Sequence, residues 1–129
     1  MILLLYGISG KILIVNLTKQ SFSIESLDES IYRQFLGGYG LGIYYIYKNI
    51  KPGAEPLGPG NILGFLPGLL TGSPAPMTGR FMVCAKSPLT GKGKRTNGKF
   101  CNGGWGNSNS GGFFGPAIRK TGFDGIFVT

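Results

Sequence analysis

The residues with the clearest chemical potential lie between Gly103 and Pro116, in the run Gly-Gly-Trp-Gly-Asn-Ser-Asn-Ser-Gly-Gly-Phe-Phe-Gly-Pro. Glycine lets a backbone approach a ligand closely and take positive φ without a steric penalty. Asn and Ser add short donors and acceptors and favour turns. Nothing in the run is typical of a core strand or a core helix, and helix-compatible residues follow from Pro116 to Lys120. A loop of this kind feeding a helix N-terminus suits an anion, because unpaired N–H groups and the helix dipole point at it. The expected cargo is a phosphorylated or otherwise anionic cofactor.

The charge balance points the same way. The chain has 129 residues, with 13 Lys and Arg against 5 Asp and Glu, no histidine, and a formal net charge of +8. Such an excess favours an anionic partner, whether nucleic acid, a phosphate-bearing cofactor or an acidic protein surface. The basic residues are scattered except for Lys92, Lys94, Arg95 and Lys99, a cluster that reads equally well as a solvated loop or a binding patch. Aromatic and basic residues do not interleave in a recognisable RNA or single-strand motif, so nucleic acid ranks last among these partners. Without histidine no Ser-His-Asp or Cys-His nucleophile can be assembled. No paired carboxylates are placed for general acid–base chemistry, and Asp124 and Glu55 read as isolated acids. Cys84 and Cys101 lack C-x-x-C spacing and are too few for a closed zinc site or a cubane cluster. Cys84 reads as a buried thiol and Cys101 as an exposed loop residue, with a disulfide between them left open.

The elements that must position these residues form one domain or a piece of one. Hydrophobic residues make up 42%, which argues against wholesale disorder. The 24 glycines follow no Gly-X-Y period, so they mark tight turns and backbone-lined surfaces rather than collagen. Met1–Tyr6 is apolar but too short for a secretory signal. No window approaches the ~20 apolar residues of a membrane span, so a soluble cytoplasmic protein is expected. Lys11–Thr18 and Ser21–Glu25 predict a hairpin of strands turned at Lys19-Gln20. Asp28 is a candidate N-cap for a short helix through Phe35, ended by Gly37-Gly38, and Gly40–Asn49 predicts a second helix, although its aromatic and β-branched content also suits a strand. Asn61–Leu66, Arg80–Lys86 and Gly125–Thr129 read as strands, with Pro/Gly-punctuated loops between them. The expected fold is α+β, mainly antiparallel β-sheet with two or three short helices.

Four segments in order resemble the N-terminal domain of the tungsten-dependent aldehyde ferredoxin oxidoreductases. They are Gly10–Thr18; Phe35–Gly42, which resembles the family's LGGRGLG turn; Pro56–Pro59 leading through Leu70–Pro76 and Gly79-Arg80-Phe81 to Ala85–Gly91; and Gly104–Pro116. The resemblance covers nearly the whole chain. It implies a β-sheet base beneath a tungstopterin cofactor (a bis-pterin tungsten, or molybdenum, centre) with magnesium. Arg80 would contact the pterin cofactor, and Asn109, Ser110, Gly111 and Gly112 would line it, with the Asn109 backbone carbonyl helping to hold magnesium between two pterin phosphates. A guanidinium is a fixed fork of donors suited to phosphate, and magnesium takes oxygen ligands shared with phosphates.

On this resemblance residues 1–129 are a partial N-terminal tungstopterin-binding domain, catalytically incomplete alone. The implied reaction takes an aldehyde to a carboxylic acid and passes electrons to ferredoxin through a [4Fe–4S] cluster ligated by other domains or a complementary subunit. The alternative is a freestanding pterin carrier without catalysis, and a basic nucleic-acid binder ranks below both. Two departures stand out: Tyr39 replaces the arginine of LGGRGLG, and Lys92–Asn102 reads as an insertion. Taken without the family, Arg80 reads as a solvated strand-end arginine, and Asn109–Gly112 reads equally well as a surface turn or a binding segment. Trp105 either stacks on a ring ligand or clamps a loop to the core, and Lys86 reads as a strand-end lysine in solvent, the alternative being that it faces the cofactor phosphates.

Overall fold

The computed structural model describes residues 7–91, 93, 94, 97, 98 and 100–129, Lys94 and Phe100 by backbone only. Met1–Tyr6, Lys92, Arg95, Thr96 and Lys99 lie outside the described residues, and with them the expectations for the apolar N-terminus and most of the basic cluster.

Strand β1 (Lys11–Asn16) turns through residues 17–20 into β2 (Ser21–Ser26). Helix α1 (Glu29–Phe35) follows, its N-cap Asp28 accepting from the Ser30 N–H at 2.8 Å. Leu36, at φ 59°, closes it, so the left-handed position falls one residue before the glycine pair. Helix α2 (Tyr39–Asn49) comes next, then β3 (Leu63–Pro67), β4 (Phe81–Ser87), the short β5 (Gly93–Lys94) and β6 (Phe100–Cys101), β7 (Gly104–Ser110), α3 (Phe114–Lys120) and β8 (Gly125–Val128).

Six strands make one mixed sheet in the order β2-β1-β8-β3-β4-β7, and β5 pairs only with β6. β1 and β8 run parallel; every other ladder in the sheet is antiparallel. The α+β reading and its antiparallel bias therefore hold, with one parallel pair at the centre.

Helices α1 and α2 cover one face of this sheet. Ile12, Leu66, Cys84 and Phe127 from the strands meet Tyr32, Leu41, Tyr45 and Ile46 from the helices in a single core. Tyr45 stacks on Phe127 with centroids 3.9 Å apart. The helix crosses so closely at Gly42 that a Cβ there would lie 2.6 Å from Cys84 Sγ. Trp105, in β7 and partly buried, packs against this core. Helix α3 lies on the opposite face, where Phe114 meets Phe65 and Phe81 edge-on.

Asp124 is no isolated acid. It is 3% exposed and accepts from the main-chain N–H groups of Ser9 (3.0 Å) and Gly10 (2.7 Å) and from the Tyr32 hydroxyl (2.8 Å). Arg119 of α3 donates to the same carboxylate and, with its other terminal nitrogen, to the carbonyls of Gly7, Gly68 and Leu69. One carboxylate and one guanidinium thus join the segment before β1, helix α1, helix α3 and the loop after β3.

Two outcomes follow from this packing. Asp124→Asn removes the counter-charge of the half-buried Arg119 and sets an amide N–H₂ against N–H donors. Urea unfolding should show a loss of about 3 kcal/mol, the scale for breaking one side of a buried ion pair. Alkaline pH is a second lever. Burial pushes the Cys84 thiol from 9.0 up to about 12, and burial followed by the nearby Glu25 carboxylate pushes the Tyr45 phenol from 10.0 up to about 12. Burial and Asp124 also hold the Tyr32 phenol well above its ordinary range. All three favour the neutral form in the folded chain, so their contribution is intact below pH 9 and is lost as pH rises from 9 towards 12. A series of urea midpoints across that range should fall only above pH 9.

Candidate anion-binding site

Antiparallel pairing of β4 with β7 sets Phe81 opposite Ser110, Met82 opposite Asn109 and Cys84 opposite Asn107. The run at 104–110, expected as a loop, is therefore an edge strand. Its intrinsic preference is overridden because the largely apolar β4 offers a full ladder to pair with, and edge strands tolerate polar, small residues. The chain leaves the ladder only at Gly111. Helix α3 begins at Phe114 rather than Pro116, and its N-cap, Phe113, offers no side-chain hydrogen bond. The imagined geometry of a loop wrapping an anion at a helix N-terminus is thus replaced by a flat strand end.

Pairing brings the separated motifs together. Arg80, one residue before β4, donates from Nη1 to Asn109 Oδ1 across 29 positions of sequence. Both side chains are exposed. Asn109 Nδ2 in turn donates to the Tyr39 hydroxyl at 3.0 Å, where α2 begins. Gly79 and Gly112 are in close backbone approach: a Cβ on Gly79 would lie 2.8 Å from the Gly112 carbonyl oxygen. A Cβ on Gly111 or Gly112 would meet nothing within 4 Å, and Gly112 sits at φ +88°. The result is an open patch with a guanidinium at one side and bare backbone at the other.

Thr71 holds the arginine end. It is 6% exposed; its Oγ1 accepts from the Gly68 N–H at 2.8 Å and donates to the Arg80 carbonyl at 2.7 Å. Gly115 closes the other side, where a Cβ would lie 2.7 Å from the Gly79 oxygen, so α3 rests directly on the Gly79-Arg80 backbone. Among the described residues the ion pairs are Arg33–Glu29 and Arg119–Asp124, so Arg80 keeps its charge for a ligand.

Of the expected site residues, Arg80, Asn109, Gly111 and Gly112 come together. Ser110 joins them through its backbone only: it pairs with Phe81, so strand alternation turns its side chain to the face opposite Asn109. Lys86, half-exposed, lies at the far end of the β4–β7 ladder from the patch, and its Nζ donates to the Ala54 carbonyl. Glu55 accepts from Asn102 Nδ2. Cys101 lies in the short β6, half-buried, and no disulfide joins it to Cys84. Tyr39 and Thr71 were not legible as site residues. The signals were Tyr39's place where the family's LGGRGLG turn has arginine, and the Thr-Gly-Ser-Pro run, neither of which names a partner.

Among the described residues there is no group of three or more His, Cys, Asp and Glu able to hold a metal ion. No helix there is long and apolar enough to cross a membrane.

A mixed six-stranded sheet with helices on both faces defines an α+β domain in which Arg80, just ahead of β4, meets Asn109 of the edge strand β7 beside the glycines that follow it. Comparison with known proteins identifies its family. A family model described as "Aldehyde ferredoxin oxidoreductase, N-terminal domain" matches residues 12–129, and the chain belongs to this family. It is 40% identical over 124 residues to the tungsten-containing aldehyde ferredoxin oxidoreductases of Pyrococcus abyssi and Thermococcus kodakarensis, a match covering 96% of this chain and 18% of each relative. It is 31% identical over 127 residues to the WOR-like subunit of an aliphatic sulfonate oxidoreductase of Pyrococcus furiosus, with the same coverage. It also matches the solved active-site complex BamBC of benzoyl coenzyme A reductase in complex with 1,5-dienoyl-CoA. There the TM-score is 0.81 and the identity 32%, over 95% of this chain and 17% of that one. The chain thus spans under a fifth of the length of these oxidoreductases and corresponds to one domain of a larger enzyme.

Replacing Thr71 by Val should cost about 1–3 kcal/mol, the penalty for leaving a buried hydrogen-bond partner unmet. Urea unfolding measures that loss, and amide exchange at Gly68, whose N–H loses its acceptor, should accelerate in parallel.

Proposed function

We propose that this chain is the part of a tungsten aldehyde:ferredoxin oxidoreductase on which the pterin cofactor rests. The observation that carries the reading is the Arg80–Asn109 contact beside the uncovered Gly111-Gly112 backbone. The donor set suits a phosphorylated flat ligand. Arg80 commits one terminal nitrogen to Asn109, leaving donors of its planar fork for phosphate oxygens. Gly111 and Gly112 present main chain without side-chain bulk, so a ring can approach at contact distance. β7 is an edge strand, and an edge strand pairs on one side only, which keeps main-chain oxygens available. The Asn109 carbonyl is the oxygen we assign to a magnesium shared with the phosphates.

When bound, the tungsten (or molybdenum) pterin supplies the two-electron chemistry that turns an aldehyde into a carboxylic acid. This chain's own residues bind and orient. Arg80 neutralises phosphate charge, the Thr71 hydrogen bond holds the Arg80 backbone in place, and the Gly111-Gly112 backbone sets how near the ring can lie. The [4Fe–4S] cluster, the ferredoxin contact and the substrate pocket are assigned to the remainder of the enzyme, in the cytoplasm. Residues 1–129 are read as a partial N-terminal domain with 92–102 inserted; the described part of that segment supports this by pairing β5 only with β6, outside the main sheet. The matched proteins' names include an aldehyde, a sulfonate and a benzoyl coenzyme A enzyme, which supports placing substrate choice outside this domain.

Arg80→Ala in the reconstituted enzyme should lower pterin and tungsten content about tenfold, since a charged hydrogen bond contributes ~1.5–3 kcal/mol. Metal analysis and pterin fluorescence of the purified protein measure this, and unchanged content of both removes Arg80 from the cofactor site.

A further inference from the structure

We propose that Tyr39 is a positioning residue for phosphate recognition: its hydroxyl fixes the Asn109 carboxamide, which in turn aims the Arg80 guanidinium. The inference rests on the cofactor reading above and deepens it.

The argument begins with the chemistry of the three groups. A guanidinium donates and cannot accept. It must therefore meet the oxygen end of the Asn109 carboxamide, and Nη1 of Arg80 does meet Oδ1. The nitrogen end of that carboxamide then requires an acceptor. Tyr39 Oη supplies it at 3.0 Å from Nδ2. Both ends of the carboxamide are engaged, and each partner tolerates only one of its two flip states or is placed to reinforce that state.

Left to itself, Asn109 would hold the guanidinium poorly. It is exposed, on an edge strand, and the last torsion of an asparagine is broad. Arg80 is exposed as well, and a long cationic side chain loses rotamer freedom when held in place. Tyr39 is different. It is half-buried and opens an eleven-residue helix whose Leu41, Gly42, Tyr45 and Ile46 are buried in the core. The Gly38 N–H just before it is tied to the Pro67 carbonyl at 3.2 Å. At Gly40 the chain passes so near the Phe35 carbonyl that a Cβ would lie 1.9 Å from its oxygen. The phenol therefore hangs from a fixed backbone by two torsions. The relay Tyr39–Asn109–Arg80 transfers the position of a packed helix to a surface cation. The guanidinium is then preorganised for a phosphate instead of being ordered by it, which strengthens binding by removing an entropic cost.

The test uses the full chain, isotope-labelled, with inorganic phosphate as the probe and amide resonances as the readout. The wild type should titrate, and Arg80→Ala should abolish the response. Tyr39→Phe removes one oxygen and should leave the urea midpoint unchanged. It should weaken phosphate about fivefold, the scale of one lost hydrogen bond, and move the Asn109 side-chain amide resonances to the shifts and exchange rates of a free carboxamide. On an Asn109→Ala background, Tyr39→Phe should have no further effect on phosphate, because the phenol acts through Asn109. Wild-type phosphate affinity and unmoved Asn109 resonances in Tyr39→Phe, with Arg80→Ala still inactive, would overturn the Tyr39 role and leave the cofactor reading standing. A wild-type chain with no Arg80-dependent phosphate response would overturn both.

Discussion

The Asp124 carboxylate is the interaction on which the rest of this domain depends. It is buried at the start of the central strand β8, where an unpaired charge would be strongly unfavourable. Four donors compensate: two main-chain N–H groups ahead of β1, the Tyr32 phenol of α1 and the Arg119 guanidinium of α3. Helices α1 and α3 lie on opposite faces of the sheet, so this one cluster ties the two covering layers together past the end of β8. Arg119 extends the tie to the carbonyls of Gly68 and Leu69, at the head of the loop that carries Thr71.

From there the connection to the surface patch is short. Thr71 bonds the Gly68 N–H on one side and the Arg80 carbonyl on the other. α3, anchored by Arg119, packs Gly115 onto Gly79 and Arg80. The exposed guanidinium is thus attached to a buried ion pair through a handful of backbone hydrogen bonds and close contacts. A rigid support under an exposed, charged, glycine-lined patch is what binding a large preformed cofactor needs. Every interaction of such a ligand with this domain would be an edge or face contact, and any give in the floor would be lost as binding energy.

The family connection fits this division of labour. The domain matches aldehyde and sulfonate enzymes in sequence and a benzoyl coenzyme A reductase complex in fold, at 31% to 40% identity. A sheet edge that presents backbone and a guanidinium has nothing to say about the organic substrate. On the proposed reading it recognises only the part of the cofactor that does no chemistry.

The sequence by itself determined the local elements. Asp28 capped the first helix and the aliphatic run at Lys11–Asn16 made a strand, because each of these effects acts within a few residues; the glycines of Gly103–Gly112 suggested an anion site, and Arg80 joined it only through the family resemblance. The tertiary structure alone decided that Gly104–Ser110 is a strand, because its preference is set by the neighbouring β4 ladder rather than by its own side chains. It alone decided that Asp124 is the structural anchor, since an acid's role depends on donors more than ninety positions away in the chain, such as the Tyr32 phenol. It alone brought Tyr39 to Asn109 across 70 positions, because a hydrogen bond needs two groups within about three ångströms and only the packing of α2 on the sheet sets that distance.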